Sequence, residues 1–353
     1  MNILITGGCG FVGSNLCISI KRKFKKYKIV AFDNFYRKGS IINKKRLKKK
    51  GIKVVRGDIR FRKDLDKISE VDLIIDCAAD PSVATGEKKN LRYLVETNLI
   101  GTLNSLEFSK KKKAKLIFLS SSRIYPFEDI NNMKFKIKND QYIPKKNFKN
   151  CKKKGISEKF KTEGIKTFYG FTKYSSENLI EEYSYANDID YIINRCGVIA
   201  GPWQWGKIDQ GFIVYWMICY LFKMKLNYIG YGGRGYQCRD ILDIHDLSEL
   251  INKQITNFSK FKNNIFNVGG GSSRKLSLKN LTNLCNKLFG FKKKINRISK
   301  TRYGDIPYYV TDYSKIYNLC GWKPQKKLEV TVFEIYKWVN ENKKIIKNQI
   351  KKL

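Results

Sequence analysis

Up to Arg195 the chain alternates short apolar runs with longer polar, lysine-rich stretches. Asn2–Thr6, Ile29–Phe32, Lys53–Arg56, Leu73–Asp76, Lys115–Leu119 and Tyr191–Arg195 are mostly apolar along their length and rich in β-branched residues. That is the pattern of strands covered on both faces, as in a parallel sheet. Between them, Leu91–Lys110 and the segment from Tyr169 towards Asp188 have helical spacing. Strands alternating with helices predict an α/β fold built on a doubly wound parallel sheet. Further on, Leu276–Phe289 and Val330–Lys344 are amphipathic and predict packing helices of a smaller lobe. The lysine- and asparagine-rich stretch between Tyr125 and Tyr169 has weak periodicity and predicts a loop region over the site.

The first run breaks abruptly into Gly7-Gly8-Cys9-Gly10-Phe11-Val12-Gly13. A strand, a glycine turn and a helix start in that order are the Rossmann arrangement: the early glycines let backbone approach a pyrophosphate, and Gly13 lets the helix pack close to the strand. The first N–H groups of that helix then face the phosphates. Asp33 ends the second strand, where a carboxylate accepts hydrogen bonds from the adenosine ribose and repels a 2′-phosphate, which favours NAD over NADP. Arg37 and Lys38 beside it weaken that preference. The strand ends at Gly57-Asp58-Ile59-Arg60 and Cys77-Ala78-Ala79 carry the small or polar residues expected at a ligand crevice.

A chain of 353 residues predicts two lobes. Residues 1–195 read as an NAD-binding Rossmann domain, to which the chain returns at about 237–268. Residues 196–236 and 269–350 read as a smaller C-terminal α/β substrate lobe. The formal charge of +40 would ordinarily suggest a polyanion. The lysines, however, recur in nearly every segment, with clusters at Lys21–Lys28, Lys44–Lys50, Lys110–Lys115 and Lys145–Lys154. A composition biased to lysine produces this without a nucleic-acid or membrane partner. The nine cysteines are scattered without a CxxC pair, and there is one histidine, His245. Free thiols in a reducing compartment are expected, with neither a disulfide framework nor a metal site. The longest apolar run, Ile213–Phe222, is too short to span a bilayer as a helix, and no secretory signal fits, so a cytoplasmic location is expected.

Chemistry enters at Tyr169 and Lys173, four apart and therefore on one helix face. A phenol is a poor base at neutral pH, but an adjacent ammonium stabilises its phenolate. Ser121, at the end of the fifth strand, could hold a substrate oxygen beside it. Of the aromatic group Trp203, Trp205, Phe212, Tyr215 and Trp216, Phe212 and Trp216 suit a core, whereas Trp203 or Trp205 could face a bound substrate.

Together these pieces resemble the extended short-chain dehydrogenase/reductase family, the sugar-nucleotide epimerases and dehydratases. The resemblance runs through TGGCGFVGS, Phe32–Asn34, Gly57–Arg60, Asn98 with Gly101-Thr102, SSSRIY, YGFTK, Arg195–Pro202, Arg239-Asp240 with His245 and Asp246, and Gly321–Pro324. It implies NAD as cofactor, a nucleotide sugar (CDP- or UDP-linked) as substrate, and a homodimer or higher homo-oligomer. It implies a catalytic set of Ser121, Tyr169 and Lys173. It implies cofactor contacts at Gly7, Gly10, Phe11, Val12, Gly13, Asp33, Asn34, Asp58, Ile59, Ala78, Ala79 and Asn98, besides Tyr169 and Lys173. Substrate contacts are implied at Ser122, Arg123, Gln210, Arg239 and Arg302. Pro126 and Asp80 depart from the family's usual residues. Phe32–Ser40, Gly155–Glu158 and Asp209–Gly211 resemble the branch that inverts C-2 of a CDP-linked dideoxyhexose; 4-epimerisation of a UDP-sugar is the alternative. Dehydratases carry an Asp-Glu pair where this chain has Ser122 and Arg123, and a non-catalytic NAD-binding protein would not be expected to keep Ser121, Tyr169 and Lys173 together.

Overall fold

Seven strands form one sheet in the computed structural model, which describes residues 1–37, 39–81, 90–145, 151–152, 154–206 and 210–350. In chain order its elements are β1 (Asn2–Thr6), α1 (Phe11–Lys23), β2 (Lys28–Asp33), α2 (Ser40–Lys48), β3 (Lys53–Arg56), β4 (Leu73–Asp76), α3 (Gly101–Lys112), β5 (Lys115–Ser121), α4 (Phe168–Asn187), β6 (Tyr191–Cys196) and β7 (Asn264–Val268). Across the sheet the order is β7-β6-β5-β4-β1-β2-β3. Strands β1 to β6 pair in parallel register. The order reverses beside β1, so a crevice opens between β1 and β4 past their carboxyl ends, the place where such sheets bind ligands. Ile3, Leu4, Ile5, Ile74, Ile117 and Ile192 are buried, because helices cover both faces.

By its contacts the chain divides into two units: Met1–Ile124 with Phe168–Cys196 and Leu247–Phe266, and Tyr125–Thr167 with Gly197–Asp246 and Asn267–Leu353. In the first, the segment predicted as one helix over Leu91–Lys110 is Leu91–Val95, a π-helical turn at Glu96–Ile100 and then α3. The wider turn carries Asn98, whose carbonyl oxygen accepts from Thr102 Oγ1 at 2.8 Å and from Ser176 Oγ at 3.0 Å. Deep in the same unit, Arg195 forks onto Glu177, with Nη2 2.7 Å from Oε2, and Ser120 donates to the same carboxylate. The guanidinium and hydroxyl donors satisfy a carboxylate that burial alone would make costly.

The second unit packs the helix Phe212–Leu221 against Leu278–Phe289 and Leu328–Glu341, with Met217, Tyr220, Leu281, Ile335 and Trp338 in its core. Its largest sheet centres on Cys238–Asp243, flanked by Val198–Ala200, Lys275–Ser277 and Tyr308–Tyr309. Leu276, expected to open a helix, belongs instead to a strand opposite Arg239, and Ser277 caps the helix through its hydroxyl, which accepts from Asn280 N at 3.0 Å. The stretch expected to be loop holds a short helix at Phe127–Asn131 and a hairpin of Phe135–Lys138 with Gln141–Pro144. Asn139 and Asp140 turn that hairpin with φ of 51° and 58°, the two positive values a two-residue type I′ loop requires. The strand Phe135–Lys138 is largely exposed, so no apolar alternation announces it.

The Glu177–Arg195 pair gives a stability test. Arg195→Leu leaves a buried carboxylate without its cation and should lower the free energy of unfolding by ~3–5 kcal/mol, read by urea titration. Replacing both partners with Leu should recover most of that loss; equal losses in the single and double variants would show that the ion pair is not the cause.

Candidate active site

The glycines of the turn after β1 are required for steric reasons. Gly7 has φ +59°, and a Cβ there would lie 2.9 Å from Cys77 O; a Cβ on Gly13 would lie 2.4 Å from Gly7 O. Gly10 caps α1 with no side-chain hydrogen bond, and the first helical turn holds no acid, so the N–H groups of Phe11 and Val12 stand at an uncapped positive helix end. Beside this turn a groove is lined by Gly7, Gly10, Asp33, Ile59, Ala78 and Tyr93, among others. Asn34 and Ala79 also line it.

Asp33 is more than a wall of this groove. Its Oδ2 accepts from Cys9 N at 2.9 Å and its Oδ1 from Phe35 N at 2.8 Å, so the carboxylate also holds the glycine turn in place. Burial raises its pKa above the usual carboxylate range, and backbone donors at Phe35, Cys9 and Gly10 oppose that shift. The Ser40 hydroxyl donates to it as well, so about four donors already meet its four or so lone-pair sites, and a ribose hydroxyl would have to share or displace one of them. Asp58, implied as a cofactor contact, is committed to Arg60: Nε lies 3.0 Å from Oδ1 and Nη2 2.9 Å from Oδ2, and Arg60 N and Asn34 Nδ2 also donate to it, each at 3.0 Å. Ile59 and Tyr93 line the groove at that end, with Arg60 over the Tyr93 ring at 4.7 Å. Asn98 is buried, its Oδ1 accepting from Asp80 N at 2.7 Å and its Nδ2 donating to Thr172 Oγ1 at 3.1 Å. It ties the loop after β4 to α4. Arg37 pairs with Asp80 at the groove, a contact with no sequence signature of its own. Lys38 lies outside the described residues. A glycine cradle, an uncapped helix start and a carboxylate on the second strand fit a dinucleotide.

Ser121 ends β5 and is hydrogen-bonded to Tyr169 of α4; its Oγ also accepts from Arg123 N at 3.2 Å. Tyr169 is partly exposed, but burial of its hydroxyl pushes the phenol up to about 12, opposed by the Ser121 hydrogen bond and the Arg123 charge. Lys173, one turn on, is buried at 2% exposure. Its Nζ donates to Leu119 O at 3.0 Å and lies 4.3 Å from the centre of the Phe118 ring. Burial lowers its pKa, and Asp76 is the largest opposing charge. The ammonium therefore faces the β4–β5 strand ends, where sequence spacing alone suggested the phenol. Asp76 was missed because nothing in its run of apolar neighbours distinguishes it from a strand terminus.

Ser122 and Arg123 form a 3₁₀ turn with Ile124 directly after Ser121. The remaining implied substrate residues belong to the second unit. There Arg239 pairs with Asp305 at 3.1 Å and donates to Ile306 O at 2.7 Å, Arg302 is exposed, and Gln210 is half-buried. Asp209 lies outside the described residues. Trp203 and Trp205 pack on Trp338, at 5.9 and 5.6 Å between ring centres, in the same cluster as Phe212 and Trp216. His245 is exposed at a helix start, its backbone N–H donating to Asp243 Oδ1 at 2.8 Å. All nine thiols are free, and no helix among the described residues is long and apolar enough to cross a membrane.

Comparison with known proteins matches residues 3–269 to the model of the NAD dependent epimerase/dehydratase family. The chain is 28% identical over 352 residues to CDP-paratose 2-epimerase of Salmonella typhi, covering 96% of this chain and 99% of that one. It is 25% identical over 358 residues to UDP-glucuronate 4-epimerase 4 of Arabidopsis thaliana, covering 96% of this chain and 75% of that protein. In fold it is similar to a UDP-glucuronic acid 4-epimerase from Bacillus cereus solved with UDP-glucuronic acid and NAD, with a TM-score of 0.78, 24% identity, and coverage of 97% and 99%. With the parallel sheet, the glycine cradle and a family match over most of its length, the chain belongs to the NAD dependent epimerase/dehydratase family and is an NAD-dependent enzyme.

Proposed function

We propose that the chain epimerises a nucleotide-linked hexose by transient oxidation to a keto-sugar and re-reduction, inverting C-2 of a CDP-linked dideoxyhexose. The observation that carries the chemistry is the Ser121–Tyr169 hydrogen bond at the end of β5, with Lys173 buried one turn along α4. A carbon bearing a hydroxyl and no acidic hydrogen inverts only if its C–H bond is broken with the electron pair and remade on the other face. When bound, NAD supplies the acceptor and donor for that hydrogen. Gly7, Gly10, Phe11, Val12, Gly13 and Asp33 would hold it, with Asn34, Ile59, Ala78 and Ala79 along the groove. Tyr169 takes the hydroxyl proton as the C–O bond becomes a carbonyl, and returns it on the way back. Ser121 holds the substrate oxygen against the phenol. No net oxidation results, so no external reductant is consumed.

The choice of C-2 and of a CDP-sugar is supported by the full-length likeness to CDP-paratose 2-epimerase and by Phe32–Ser40 and Gly155–Glu158. A UDP-sugar 4-epimerase is the second reading, favoured by the likeness to the UDP-glucuronate 4-epimerase. A homodimer is proposed through α4, where Phe168, Phe171 and Tyr185 stand 39%, 54% and 90% exposed on one face. A cytoplasmic location is proposed with it.

Incubation of the protein with CDP-paratose or UDP-glucose in deuterated water, without added NAD, separates the two readings by NMR. Inversion at C-2 with no deuterium at that carbon is expected, whereas C-4 inversion of the UDP-sugar moves the assignment to the second reading. Tyr169→Phe should lower turnover ~10²–10⁴-fold while the fold survives; near-normal turnover would refute the assignment. Because the working form of Tyr169 is the phenolate and its pKa is raised, kcat/KM should climb roughly tenfold per pH unit below that pKa. The same profile in Tyr169→Phe should be flat. Asp33→Ala should narrow a preference for NAD over NADP, and equal binding of both by the unaltered protein would contradict the ribose role of Asp33.

A further inference from the structure

Lys173 carries a charge into the protein interior, and its neighbours on every side can be named. On β5 the Leu119 carbonyl takes one of its three donors at 3.0 Å and the Phe118 ring presents its face at 4.3 Å. On its own helix Glu177 is nearby, but that carboxylate is forked by Arg195 and bonded by Ser120. Cys77, after β4, and Cys196, at the end of β6, also face it. Both thiols are neutral, because burial pushes Cys77 well above its ordinary value and Cys196 up to about 12. The remaining carboxylate is Asp76, at the end of β4 and 1% exposed. Its register partners are Thr6 on β1 and Phe118 on β5, and Phe118 is the residue whose ring lies under the ammonium. Thr6 Oγ1 donates to Asp76 Oδ1 at 2.6 Å and Ala78 N donates to the same oxygen at 3.2 Å, which fixes the carboxylate at the switch point of the sheet.

We propose that Asp76 is the buried carboxylate partner of Lys173, a positioning residue that seats the ammonium at the carboxyl ends of β4 and β5. A buried ammonium with one carbonyl and one ring for company would pay a large desolvation cost and lose its proton readily. Asp76 opposes that loss, and Thr6 keeps Asp76 in place. The same Thr6 hydroxyl accepts from Cys77 N at 3.2 Å and Ala78 N at 3.3 Å, so the loop that lines the cofactor groove and the Asp76 carboxylate share one anchor. This inference rests on Lys173 serving the site as proposed above.

The test uses the holoprotein and reads NAD retention, not turnover. Samples are dialysed at a series of pH values from about 6.5 to 9.5 and the nicotinamide retained is quantified; one pH unit corresponds to a tenfold change in proton activity. Asp76→Asn should lose NAD at a pH at least one unit lower than the unaltered protein does, with Thr6→Val shifted in the same direction by less. In a Lys173→Met background, Asp76→Asn should add no further pH dependence. Coincident profiles for Asp76→Asn and the unaltered protein would overturn the inference, as would a shift that persists in the Lys173→Met background. Where Asp76→Asn does not fold, Thr6→Val carries the test, and an unshifted profile overturns the proposal. Retention and turnover unaffected by Lys173→Met would instead refute the reading of Lys173 itself.

Discussion

The constraint that organises the first unit is the approach of α1 to the turn after β1. At Gly13 the distance from a hypothetical Cβ to Gly7 O is 2.4 Å, so any side chain would push the helix off the strand. Because the helix sits that close, its uncapped N-terminus lies at the carboxyl end of β1 instead of out in solvent, and the groove acquires its electropositive floor. The placement of Asp33 follows. Its carboxylate reaches back to Cys9 N and braces the turn from the neighbouring strand.

A second regularity is that the carboxyl ends of the buried strands are polar and internally paired. Thr6 with Asp76, Ser120 with Glu177 and Arg195, and Asp33 with the glycine turn each join elements far apart in sequence. Apolar strand bodies supply the burial, and these paired ends specify register, since shifting a strand by one residue would strand a charge in the core. The same ends hold the groups to which the proposed chemistry is assigned. A chain carrying a net charge of +40 on its surface and loops still spends acidic residues Asp33, Asp76 and Glu177 in the interior of this unit.

What could be read in the sequence divides along that line. The strands β1 to β6 were legible because parallel strands covered on both faces are continuous apolar runs, with no alternation to misread. The hairpin after Phe135 was not, since its first strand is largely exposed and its second only half-buried, nor was the π turn at Asn98, which costs nothing in helical periodicity. At the site, glycine spacing identified the cradle, and helical spacing placed Tyr169 and Lys173 on one face. Spacing could not reveal that Arg60 occupies Asp58 or that Asp76 faces Lys173. Such pairings depend on which strands become neighbours, and that is decided by the topology of the whole sheet.

The fold is shared by enzymes that invert a carbon and enzymes that eliminate water, so the distinction must come from groups near the Ser121–Tyr169 pair. Elimination needs an acid to protonate the departing hydroxyl and a base to remove a carbon-bound proton, two groups able to change protonation state. Directly after Ser121 the chain offers a hydroxyl, Ser122, and a guanidinium, Arg123, held in a 3₁₀ turn. A guanidinium keeps its proton throughout the accessible pH range and can orient or polarise, but cannot serve as that base. Its charge also lowers the phenol's pKa, which favours Tyr169 as the single proton-exchanging group. One such group suffices when the same proton leaves and returns to one oxygen, and that economy is what supports epimerisation over dehydration for this chain.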